Sequence, residues 1–203
     1  MRYLRRTAVY EGTDDRKKGA SSSPGETGRQ RRTTLRTFRF PEELAQAVDA
    51  EAQEQGMTLN ALVSSILTKH VEWDAKAAKF GFIPSYKPVV TALLQASDEA
   101  SLDRIGRTVV APMWKEMASF WFQNSSEESI LDLLSMRSRH LPFVQSEVKR
   151  DGRRLTIVTH HELGPKWSIV MRGAFDELVR TSFRAQPTIG AGDTIVTVEF
   201  SVP

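Results

Sequence analysis

The densest group of residues able to do chemistry lies at residues 159–162, in the stretch "THHE". Neutral imidazoles from His160 and His161, with Glu162 beside them, are ligands for zinc or nickel, and no thiol is required. The surrounding sequence reads as a strand, however, and adjacent strand residues point to opposite faces. Both imidazoles reach one site only across a bulge, so the expectation is a half-buried strand end, not a metal centre. His140 and Asp176, the other titratable candidates, stand apart in the sequence. No nucleophile elbow, phosphate loop or dinucleotide fingerprint occurs. No enzyme activity, metal or cofactor is expected.

A second stretch, "TFRFPEEL" (residues 37–44), offers hydrogen-bonding chemistry instead. Period-2 alternation puts polar Thr37 and Arg39 on one face of an extended segment and Phe38 and Phe40 on the other. So short a strand cannot stand alone and needs a partner from outside the local sequence. The charge around it points to a polyanion. Residues 1–39 hold eleven Lys and Arg against four acidic residues, a net of +7, so the remainder carries −4 of the chain's overall +3.

The elements that must position these groups can be read outward from that stretch. Residues 1–32 include "KKGASSSPGETGRQRR", which lacks periodicity and apolar content and is expected to be a disordered basic arm. The N-terminus has no apolar core of a secretory signal, no run suits a membrane span, and there is no cysteine for a disulfide or thiolate metal site. A cytoplasmic location is the default. From Pro41 a helix begins, with Glu42 and Glu43 at its positive end and Leu44, Val48 and Ala52 along one side. Gly56 ends it. Thr58 then caps a second helix whose Leu59, Leu62, Val63, Ile66, Leu67, His70 and Val71 repeat at helical spacing; His70 is expected on its buried side.

The order "TFRFPEEL", then "EQGMTLNALV", resembles the ribbon-helix-helix family of DNA-binding proteins, relatives of Arc, MetJ and CopG, over residues 34–73. The resemblance implies a homodimer in which two short strands pair into a β-ribbon that enters the DNA major groove. It implies that Thr37 and Arg39 read base edges, Arg39 bridging guanine O6 and N7. Leu35 stands where the family usually places a polar reader, which leaves Arg36 or Thr34 to serve if the strand bulges. The family's second helix points its N-terminus at a phosphate, here with Thr58 and Asn60. Arg29, Arg31 and Arg32 are expected on the flanking backbone. The first helix is acidic, a departure from a DNA-facing surface.

After residue 74 the sequence changes character. Several helices follow, with Ser97 or Asp98 as a cap and a Ser and Glu capping pattern at "SSEES". The cluster Trp114, Phe120, Trp121 and Phe122 reads as core. Two β-rich runs flank Asp151 and Gly152, a strong hairpin signal. A helix restarts at Pro165, and "DTIVTVEFSV" closes with a strand. The expected fold class is α+β: a disordered arm (1–32), a ribbon-helix-helix module (33–74), and an α+β domain with a small antiparallel sheet (75–203) serving sensing or further oligomerisation. The expected function is a sequence-specific, nucleoid-associated transcription regulator that binds double-stranded DNA as a homodimer or higher oligomer, with room for a small-molecule effector. The alternative is an antitoxin that uses the same DNA-binding module.

Overall fold

A computed structural model of the chain describes residues 34–203. The chain divides into two units, residues 1–45 and 46–203. In the first, residues 34–41 form neither helix nor strand. This corrects the expected fold class: the described N-terminal residues begin as coil and pass into a helix, with no β-ribbon. A strand exists only through hydrogen bonds to a neighbour. Among the described residues the four strands pair with one another and none pairs with this segment. Within it the Phe38 and Phe40 rings stack at 6.4 Å.

Helix α1 (Glu42–Glu54) has Glu42 and Glu43 in its first turn. It closes through Gly56, whose φ of 65° suits glycine, with the Met57 N–H on the Ala52 carbonyl at 3.0 Å. Helix α2 (Leu59–Lys69) is capped by Thr58, whose Oγ1 accepts the Ala61 N–H at 3.2 Å. It runs through a π-helical turn (His70–Asp74) into α3 (Ala75–Phe80), which stops at Gly81. A π turn takes in one extra residue. Leu62 and Trp73 are buried, whereas Ile66, Leu67, His70 and Val71 between them are exposed. His70 does not occupy the buried side that straight helical spacing predicts.

The main core starts at Trp73. Helices α4 (Lys87–Ala96) and α5 (Glu99–Ile105), a second π turn (Gly106–Val110), α6 (Ala111–Phe122) and α7 (Glu127–His140) precede the sheet. Asp98 and Ser126 cap α5 and α7. Strands β1 (Val144–Asp151) and β2 (Arg154–His161) form the hairpin around Gly152, whose φ is 56°. Helix α8 (Pro165–Ser182), β3 (Thr188–Ala191) and β4 (Ile195–Ser201) follow. The sheet is antiparallel throughout, in the order β1-β2-β4-β3.

One sheet face supplies the core. Leu155, Ile157, Thr159 and His161 of β2 and Val196, Val198 and Phe200 of β4 are buried, while Gln145, Glu147, Lys149 and His160 on the other face are exposed. Helix α8 is the central pillar, burying Val170, Met171, Ala174, Phe175, Leu178 and Val179. It meets α5 and the second π turn with backbone against backbone. A Cβ on Gly106 would lie 2.2 Å from the Val170 carbonyl oxygen, and one on Gly173 would lie 2.5 Å from that of Asp103. Arg107 ties the same interface by donating to Asp103 at 2.7 Å and to Asp176.

Candidate functional site

Thr37, Arg39 and Arg36 all lie exposed on residues 34–41, and the Arg36 guanidinium donates to the Leu35 carbonyl at 3.3 Å. The segment thus offers two arginines and a threonine to solvent within four residues. Arg29, Arg31 and Arg32 lie outside the described residues, as does the expected disordered arm. Thr58 is occupied as a helix cap, and Asn60 is exposed in the first turn of α2, whose leading N–H groups have no acceptor within the helix.

The two helices behind this segment form no core of their own. Within α1 and α2 only Ala52 and Leu62 are buried, and neither belongs to the main core. Leu44, Leu59, Ile66 and Leu67 stand about half exposed, and Val71 is 67% exposed. Leu59, Ile66 and Leu67 thus give α2 an exposed apolar side.

The candidates in the C-terminal region separate. His160 is exposed and His161 is buried, on opposite faces of β2 as alternation requires. The Leu163 N–H meets His161 Nδ1 at 3.4 Å, so Nε2 carries the proton and donates to buried Ser168 Oγ at 2.8 Å. That tautomer cannot take a proton from Ser168, and burial, aided by the neighbouring His160, lowers the imidazole's pKa. The pair is structural. Glu162 is held by Lys87 at 2.7 Å, which lowers its carboxyl pKa. Burial raises the Asp176 pKa, but hydrogen bonds from Arg107 and Arg180 outweigh it, and the carboxyl ends below its ordinary value. Among the described residues no three His, Cys, Asp or Glu side chains are placed to share a metal ion.

Two features escaped the sequence reading. His140, the last residue of α7, puts Nε2 3.1 Å from Glu72 Oε2 inside the first π turn. The Glu72 carbonyl also accepts the Trp121 indole N–H at 3.1 Å, and Trp73 packs against Trp121 at 5.3 Å. The second is a pair of adjoining hollows, of about 350 and 460 Å³, that share Gln145 and His160. Of the aromatic cluster, Trp114 and Trp121 are buried, and Phe120 is more than one-third exposed.

No protein-family model matches this chain, and no curated protein matches it. Among the described residues no helix is long and apolar enough to cross a membrane.

Proposed function

We propose that this chain is a sequence-specific DNA-binding regulator acting as a homodimer. Its extended basic segment contacts DNA, and α1 and α2 form the dimer contact. The observation that carries the reading is the exposed apolar side of α2, Leu59, Ile66 and Leu67, on a helix that buries only Leu62. A second copy supplies the missing half of that core. Two-fold symmetry then presents two sets of Arg36, Thr37 and Arg39 together.

In this reading Arg39 and Thr37, with Arg36, meet base edges, where arginine recognises guanine through paired hydrogen bonds. The first turn of α2, with Thr58 and Asn60, holds a phosphate through its free N–H groups. Arg29, Arg31 and Arg32 add attraction for the backbone that does not depend on sequence. Acidic α1, with Glu42, Glu43, Asp49, Glu51 and Glu54 and no basic residue, faces away from the duplex.

Selection of bound DNA from a random pool by the full chain tests this. An inverted-repeat consensus, together with a dimeric mass in sedimentation, is the expected result. Recovery of unenriched sequences, or a monomer at micromolar concentration, rejects it.

A further inference from the structure

The hollows beside the hairpin have a consistent electrostatic character. Their acidic residues are already engaged: Glu147 by Lys149 at 3.3 Å and Glu162 by Lys87 at 2.7 Å. The donors are not. Gln145 and His160 at the shared rim and Arg139 in the smaller hollow are exposed and have no side-chain partner among the described residues. A planar guanidinium with free N–H groups, beside an imidazole and an amide, suits a small oxyanion, because arginine can bind a carboxylate or phosphate through two parallel hydrogen bonds. The hollows also have the size of small-ligand sites.

Arg139 and His140 are consecutive in the last turn of α7 and serve different neighbours. Arg139 lines the hollow, and His140 meets Glu72 in the π turn that α2 enters. Ser138, one residue earlier, fixes the end of α7 to the sheet: its Oγ accepts the Ser146 N–H at 2.6 Å and lies within hydrogen-bond distance of the Ser146 and Leu134 carbonyls. The helix end is therefore braced between strand, hollow and π turn.

We propose that this cleft binds a small oxyanion, a phosphate or a carboxylate, through Arg139 and His160. We further propose that occupancy acts through His140 and Glu72 on the set of α2. The regulatory half rests on the DNA-binding reading above; the site itself does not.

The test uses the full chain with inorganic phosphate and with malonate, against chloride at matched ionic strength. Either oxyanion at tens of millimolar should raise the melting temperature by about 2–4 °C. The rise should vanish in Arg139→Gln and His160→Gln and persist in Arg104→Gln, an exposed control. No rise beyond chloride, or equal rises in all variants, overturns the site. On the selected DNA, the effective anion should change affinity at least about three-fold, a coupling of about 0.7 kcal/mol. His140→Gln should lose that change while keeping the thermal shift. A shift that depends on Arg139 with unmoved DNA affinity overturns the relay. If the chain binds no DNA at all while the shift persists, the DNA-binding reading fails and the anion site stands.

Discussion

The Arg137 guanidinium lies over the indole of Trp114, 5.0 Å from the ring centroid, and no carboxylate among the described residues is within ion-pair distance of it. Its side chain is buried, and burial pushes its pKa down to about 10. A desolvated cation–π contact contributes about 2 kcal/mol. Removing a cation from water costs several kcal/mol, so the contact does not offset the burial.

Arg137→Met, which keeps an unbranched apolar stem and removes the charge, should therefore leave the urea midpoint in place or raise it. Arg137→Ala should lower stability by about 1–3 kcal/mol, because loss of the stem leaves a void against Trp114. Equilibrium urea unfolding of both variants measures the difference. A Met variant clearly weaker than the wild type would mean that the charge itself is stabilising.

Gly106→Ala and Gly173→Ala should each destabilise the protein by at least about 2 kcal/mol, since the new methyl meets backbone atoms that cannot rotate aside. Gly190→Ala, with open space around its Cβ position and no positive φ, is the matched control and should change little. Thermal melts of the three variants decide it.

His161 sets an acid limit. Its folded pKa lies below the ordinary 6.5, so as pH falls through that value the unfolded chain takes up a proton that the folded chain refuses. Stability is present above pH 6.5 and is lost between that value and the lower folded pKa. Replacing the imidazole with an amide, His161→Gln, should flatten the stability profile over that window. The carboxyls of Glu162 and Asp176, also lowered, lose their contributions only below their ordinary values of 4.5 and 3.8. Midpoints measured from pH 7.5 to 5 separate the two ranges.

Leu67→Asp should convert the dimer to a monomer while the C-terminal region keeps its melting transition, because Leu67 is half exposed and outside the main core. Sedimentation velocity reads the mass directly. A dimer that survives this charge places the contact elsewhere.

Arg39→Ala should weaken binding to the selected DNA by about 1–3 kcal/mol and relax preference at one base position. Deleting residues 1–32 should weaken all sequences alike and make binding less salt-dependent, since those residues contribute charge and no base reading. Titrations at several salt concentrations distinguish the two effects.

Local signals in the sequence located most elements. Capping chemistry at Thr58, Asp98 and Ser126, proline at the start of α8 and the Asp151 and Gly152 turn each determine a boundary through contacts within a few residues. What failed was non-local. Alternation at Thr37 to Phe40 says which side chains share a face, but a strand needs a neighbour that the segment cannot specify. Strand β3 is four residues long and includes Gly190, too short for a pattern. Both π turns escaped because a 3.6-residue period assumes an uninterrupted helix, and the buried side expected at His70 is exposed because nothing among the described residues covers that side of α2. Within "SMRSRH" Arg137 reads as one solvated cation among several, and only the fold reveals that Trp114 covers it. Arg139 and His160 are 21 positions apart in the sequence, and the hairpin register brings them to one rim.

The turn from His70 to Asp74 works as a vernier on the rod that ends at Phe80. Straightening that turn to ordinary winding without removing a residue would swing α2 through roughly 100° about the rod's axis. Leu59, Ile66 and Leu67 would aim at a new quarter while Trp73 kept its seat. Any variant that loses this turn and keeps its length should therefore point the apolar side of α2 elsewhere.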